Sequence, residues 1–190
     1  MSADAPKITE NGPQTARLFF ALWPPAAVAD SLGRQACALA VSGGRPSRPE
    51  TLHLTLAFLG QLALSDIPTL IELAHRVRAN RFDLVVDRIG YWPHNQLLWA
   101  GCSVVPNALM ALVAELREVL RQAGFHSEQA ASGYLPHLTL MRRLSRAPDP
   151  SACLSPLNWT CHEFVLVRSR LDQAGAAYEV LARFPLSGTN

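Results

Sequence analysis

The tetrapeptide His-Leu-Thr-Leu occurs twice, at positions 53–56 and again at 137–140, in a chain with only six histidines. Strict alternation of polar and apolar residues is a strand pattern, because successive side chains of an extended chain point to opposite faces. His53 and Thr55 therefore share one face, and Leu52, Leu54, Leu56 and Phe58 the other. In the second copy His137 and Thr139 face one way, and Leu138 and Leu140 face the core. Each strand offers an imidazole beside a hydroxyl on a rigid element. Two such strands can line one cleft with four polar groups.

A chain of 190 residues with 49% hydrophobic and 17% charged residues is long and apolar enough to bury a core, and reads as globular. No apolar run reaches the roughly 18 residues of a membrane span. The polar start, with Pro6, Gly12 and Pro13, reads as a flexible tail over residues 1–15 rather than a leader. Cys37, Cys102, Cys153 and Cys161 form no Cys-x-x-Cys pair and read as reduced thiols, with a cytoplasmic location expected. The net charge of +2 argues against gripping long nucleic acid through many phosphates, yet suits one or two phosphate contacts.

Along the chain, Arg17–Trp23 is an apolar strand stopped by Pro24-Pro25. A helix is expected over Ala26–Val41, then a loop over Arg45–Glu50 and the first motif strand, Leu52–Leu59, ended by Gly60. A second helix starts at Ser65 or Asp66 and runs to about Asn80. Phe82–Ile89 and Gln96–Val104 form a hairpin around a turn at Tyr91–Asn95. The leucines at 109, 112, 116 and 120 stripe a helix from Pro106 to Gln122. The second motif strand spans about Tyr134–Leu144, and Trp159–Leu171 and Ala176–Leu186 make a final hairpin around Gln173-Ala174-Gly175. Each motif strand sits in a unit of similar make-up. The expected fold is α+β: a single bilobal domain over residues 16–188, with two pseudo-twofold-related lobes of mainly antiparallel sheet plus helices around a central cleft.

Two imidazoles facing each other suit acid–base catalysis, since one takes a proton while the other gives one. A threonine beside each adds a hydroxyl donor for developing negative charge. Arg142 and Arg143 follow closely, and a planar guanidinium is a natural partner for phosphate. Together these groups describe in-line attack on a phosphodiester. Strict alternation puts Arg143 on the face of His137, whereas a bulge or the strand's end puts Arg142 there. Tyr134, just before the second motif, is the best-placed ring to stack on a base. His75, His94, His126 and His162 lack ligand spacing and read as surface residues; Cys102 reads as core.

With these residues the chain resembles the two-histidine (2H) phosphoesterase superfamily, and within it the bacterial RNA 2',3'-cyclic phosphodiesterase, or 2'-5' RNA ligase, family. The likeness includes Arg17-Leu18-Phe19-Phe20-Ala21-Leu22-Trp23-Pro24, the run His53 to Gly60, Pro136-His137-Leu138-Thr139-Leu140 with Arg142, and the tail Arg168 to Leu186 with Gly175 and Tyr178. It implies a metal-independent hydrolase without cofactor that opens an RNA or nucleoside 2',3'-cyclic phosphate to a 2'-phosphate end. His53 is then the acid, His137 the base, Thr55 and Thr139 the phosphate clamps, and Arg142 the phosphate-binding arginine. Attack by a 5'-hydroxyl in place of water gives 2'-5' ligation. The expected partner is an RNA 3' end or a cyclic-phosphate nucleotide, bound by a monomer with no obligate protein partner and no membrane. Competing readings keep the chemistry on another small cyclic phosphate or a 2'-5' oligonucleotide, or keep only nucleotide or RNA-end binding.

Overall fold

The two tetrapeptides lie on neighbouring antiparallel strands of one sheet. The computed structural model describes residues 14–39, 43–127, 133–149, 152–172 and 175–188. Its strands are β1 (Thr15–Leu22), β2 (Arg45–Pro46), β3 (Leu54–Ala63), β4 (Phe82–Val86), β5 (Arg88–Trp92), β6 (Leu97–Gly101), β7 (Leu138–Arg142), β8 (Leu157–Cys161), β9 (Glu163–Asp172) and β10 (Gly175–Pro185). The helices are α1 (Ala26–Leu39), α2 (Ile67–Ala74) and α3 (Asn107–Gln122). The main sheet runs β10-β9-β1-β3-β7-β6-β5, with β2 also on β7, and β4 pairs with β8 separately.

The fold is α+β with antiparallel strand pairing, as expected. Two groups of strands, β10-β9-β1-β3 on one side and β7 with β2, β6 and β5 on the other, form halves of one continuous sheet. Their junction is the pairing of Leu54 with Leu138, the second residue of each tetrapeptide. Antiparallel pairing of equivalent residues sets a local twofold between the motifs. On one face of the sheet, Leu18, Phe20, Leu22, Leu54, Leu56 and Leu138 pack into the core with the helices. These contribute Leu32 from α1, Leu70 from α2, and Leu109, Leu112, Leu116 and Leu120 from α3. On the other face Phe19, Ala21, Val165 and Val167 form a second buried cluster edged by Trp23, Phe58, Tyr178 and Val180.

Several expected boundaries move, for local reasons. The strand expected over Phe82–Ile89 breaks at Asp87, whose carboxylate accepts the Ser103 backbone N–H at 2.7 Å and whose own N–H donates to Gly101. That anchor sends β4 to β8 and β5 to β6. The strand expected over Trp159–Leu171 likewise breaks at His162, whose carbonyl accepts the Leu186 N–H at 2.8 Å. Helix α2 stops at Ala74 instead of about Asn80, because Ala79 and Arg81 give their backbone groups to Ser187. Gly60 does not end its strand; at φ +71° it lets β3 bulge and continue. The loop over Arg45–Glu50 contains β2 and a 3₁₀ turn at Pro49–Thr51.

Of the expected flexible tail, Gln14 and Thr15 are described, Thr15 within β1; residues 1–13, Val41, Gln173 and Ala174 lie outside the described residues. Cys102 and Cys161 are buried, Cys37 and Cys153 exposed, and all four are free thiols. No helix among the described residues is long and apolar enough to cross a membrane.

Gly90 faces Trp99 across the β5–β6 ladder, and a Cβ there meets Trp99 Cζ2 at 2.0 Å. Trp99 is itself buried and cannot swing clear. Gly90→Ala is expected to cost about 1–3 kcal/mol by overpacking, read from urea denaturation. A midpoint equal to wild type contradicts this packing.

Candidate active site

Both motifs carry a bulge at the same position. Opposite β1, Phe20 pairs with Ala57 and Ala21 with Thr55, so Leu56 is the extra residue. Opposite β6, Leu98 pairs with Met141 and Trp99 with Thr139, so Leu140 is extra. A bulge shifts strand parity by one residue. Leu56 and Ala57 thus both face the core, as do Leu140 and Met141. Phe58, expected among the core leucines, emerges instead on the His53 face, against the second cluster. In the second copy the equivalent position is Arg142, delivered onto the His137 face. Arg143, favoured by strict alternation, lies beyond β7 at φ +58°.

The histidines are held alike. His53 Nδ1–H donates to the Thr51 carbonyl at 2.8 Å and His137 Nδ1–H to the Leu135 carbonyl at 2.9 Å, each acceptor lying two residues upstream. The 3₁₀ turn at Pro49–Thr51 presents the first carbonyl. Pro136 restricts Leu135 to extended backbone and so helps fix the second. With Nδ1 as donor, Nε2 of each neutral ring carries a lone pair. That is the atom able to take or return a proton.

His53 retains some exposed surface, but its ring stacks on Trp23 at 5.5 Å and 9°, lies 4.8 Å from Phe19, and meets the edge of Tyr178 at 5.0 Å. Burial among these rings is the main cause that lowers its pKa to about 4. The bond to Thr51 opposes the shift, while Arg142 and His137 add to it. His137 meets Trp92 edge-on at 4.7 Å. Its pKa is also lowered, by burial first and by Arg142, against the bond to Leu135. Both rings are therefore neutral at pH 7, and both feel the Arg142 charge.

His53, Thr139 and Arg142 line one hollow of about 120 Å³ with Arg45, Arg48 and Tyr178. Thr55 and His137 keep to the same faces of their strands by parity. The arginines at 45 and 48 escaped the sequence reading because their loop carries no periodic pattern. β2 brings them in by pairing Arg45 with Arg142, and the Ser47 N–H donates to the Leu140 carbonyl at 2.8 Å. The ring partners Trp23 and Tyr178 carry no sequence signal as site residues, and Trp92, one of several rings able to stack on a base, stands instead against His137, since aromatic residues near strands read first as core. His75, His94, His126 and His162 are exposed and away from the hollow.

Tyr134 sits otherwise than expected. Its hydroxyl donates to the Thr55 carbonyl at 2.8 Å, its ring packs against the core, and the Arg117 guanidinium lies 4.7 Å from its centroid. Arg117 in turn donates twice to the Leu56 carbonyl, at 3.1 and 3.0 Å. Tyr134 thus secures the bulge in β3 rather than offering a free face to a base. An imidazole, a hydroxyl and three guanidiniums around one anion-sized hollow, with His137 and Thr55 outside its lining but on the corresponding faces of the paired strands, are the equipment of a phosphoesterase.

Residues 22–99 match the family described as LigT like Phosphoesterase. The chain is 33% identical over 177 residues to the RNA 2',3'-cyclic phosphodiesterase of Escherichia coli, covering 90% of this chain and 97% of that one. It is 32% identical over 180 residues to the protein of the same name from Thermus thermophilus, covering 90% and 91%. The fold matches the crystal structure of E. coli LigT complexed with 3'-AMP at a TM-score of 0.80 and 30% identity, over 91% of this chain and 99% of that one. The chain belongs to the LigT-like phosphoesterase family.

Two outcomes follow from this geometry. The folded-state pKa of His53, about 4, lies below its ordinary 6.5, so between those values the unfolded chain binds more protons. Stability therefore falls as pH drops through that window, by up to about 3 kcal/mol from this group. His53→Gln should flatten the slope in thermal melts from pH 7 to 4; an unchanged slope overturns the assignment. Tyr134→Phe removes the hydroxyl that donates to the Thr55 carbonyl and is expected to cost about 1 kcal/mol, with Arg117→Ala costing more. Chemical denaturation of both variants checks this order.

Proposed function

We propose that this protein hydrolyses RNA or nucleoside 2',3'-cyclic phosphates to 2'-phosphate ends by two-histidine acid–base catalysis. The observation that carries the reading is the pair of imidazoles, each fixed at Nδ1 by a carbonyl two residues upstream, on paired strands with Arg142 acting on both. The names of its relatives support the same substrate class.

In this reaction His137 Nε2 takes a proton from water as the water oxygen bonds to phosphorus. The bond from phosphorus to the 3' oxygen breaks, and protonated His53 gives its Nε2 proton to that oxygen. Arg142, Thr139 and Thr55 hold the non-bridging oxygens, whose charge grows in the transition state. Exchange with solvent then returns His137 to neutral and His53 to its protonated form. A 5'-hydroxyl entering in place of water forms a 2'-5' linkage.

Burial and the Arg142 charge disfavour the imidazolium that His53 needs. An anionic phosphate in the hollow offsets the repulsion from Arg142 and raises the pKa of both histidines. The pH profile of kcat, which reports the bound complex, should therefore lie at higher pH than that of kcat/KM. Acting as a monomer, with residues 16–188 as one catalytic unit and no metal or cofactor, is part of the same proposal.

The test is turnover of a nucleoside 2',3'-cyclic phosphate with EDTA present, with the product assigned by phosphorus NMR. A 2'-phosphate is expected, and His53→Ala or His137→Ala should lower kcat by about 10²–10⁴ with folding intact. A 3'-phosphate product overturns the proposed direction of ring opening. Tight nucleotide binding with no product makes the protein a binding module instead.

A further inference from the structure

The His53 face does not end at the catalytic hollow. β1 alternates without interruption, so Arg17 shares the face of Phe19 and Ala21, and Phe19 lies 4.8 Å from the His53 ring. Phe19 also meets Tyr178 edge-on at 5.5 Å. Further along, the bulge at Leu56 has brought Phe58 onto this face, and the Arg17 guanidinium sits over its ring at 4.6 Å. Ser169, Arg17 and Gln61 stand in a row across β9, β1 and β3. They border an open groove of about 870 Å³ that Arg168 and Arg170 also line. Among the described residues three arginines and no carboxylate line it, although Glu179 pairs with Arg168 and Arg170 from outside the lining. Among the described residues no carboxylate is within ion-pair reach of Arg17.

We infer that this groove binds the single-stranded RNA immediately 5' to the cyclic phosphate, with Arg17 on a backbone phosphate and the rings between Arg17 and His53 carrying bases. This rests on the cyclic-phosphate reading above. Strand rise gives the scale: from Trp23, stacked on His53, to Arg17 is six residues, or about 20 Å, a span of a few nucleotides. The chemistry fits a flexible anionic strand. Half-buried Trp23, Tyr178 and Phe58 offer faces or edges for base stacking, which tolerates any sequence. A guanidinium resting on an aromatic ring keeps its N–H edge free for phosphate oxygens. Contact with one or two phosphates also accords with a net charge of only +2.

The test compares kcat/KM for a nucleoside 2',3'-cyclic phosphate with that for a short single-stranded RNA ending in the same group. Wild type is expected to favour the RNA by about tenfold or more, with a steeper salt dependence. Arg17→Ala should lower kcat/KM for the RNA about tenfold and flatten its salt slope by about one, while the mononucleotide changes less than twofold. Gln61→Glu, at an exposed position, puts a carboxylate into the groove and should act in the same direction. Equal losses on both substrates, or none on either, overturn the groove. If wild type turns over neither substrate, the cyclic-phosphate reading fails. The groove is then decided by fluorescence anisotropy with RNA bearing a 3'-hydroxyl: binding weakened by Arg17→Ala supports it, and binding unchanged overturns it.

Discussion

The chain's architecture depends on one constraint, the antiparallel pairing of Leu54 with Leu138. Because these are equivalent residues of the two tetrapeptides, the pair joins the halves of the sheet and brings both histidine faces to the seam. The leucines hold the strands from below through the core, and the polar partners stand above. A slip of one residue in either strand turns its histidine into the core and its leucines into the cleft. Core packing and site assembly are therefore the same event here.

The bulges refine that arrangement. One extra residue at the fourth position of each copy lets the strand carry two core residues in succession and then present its next side chain to the cleft. The first copy presents a ring and the second a guanidinium. Arg117 and Tyr134 hold the carbonyls around the first bulge. In the second, the Leu140 carbonyl receives the Ser47 N–H, and the same segment carries Arg45 and Arg48 to the hollow. Each irregularity is anchored from outside its own strand.

Much of this was legible in the sequence, because periodicity reports faces. The two motif strands, the leucine stripe of α3, the closing hairpin and the α+β class all follow from spacing and turn residues. What stayed hidden depends on partners distant in sequence. Asp87 breaks a strand because Ser103 and Gly101 hold it, and nothing near Asp87 announces them. Alternation placed Phe58 in the core because a bulge leaves no local mark on two leucine-rich strands. Tyr134 looked like a stacking platform until Arg117 and the Thr55 carbonyl claimed it. Arg45 and Arg48 belong to a loop whose role comes from pairing with β7.

The local twofold has a further consequence for how chemical direction is set. Two imidazoles at equivalent positions of the paired motifs, each fixed through Nδ1 to its own backbone, present the same Nε2 lone pair. Nothing in their tethering distinguishes donor from acceptor. What breaks the equivalence is the surroundings: His53 is enclosed by Phe19, Trp23 and Tyr178, and His137 is flanked by Trp92 and Trp99. A ligand turned end for end across the seam would meet two like Nε2 atoms in exchanged order. If the two imidazoles carry the protons as proposed, the walls, and not the tethering of the rings, decide which way round a ligand lies.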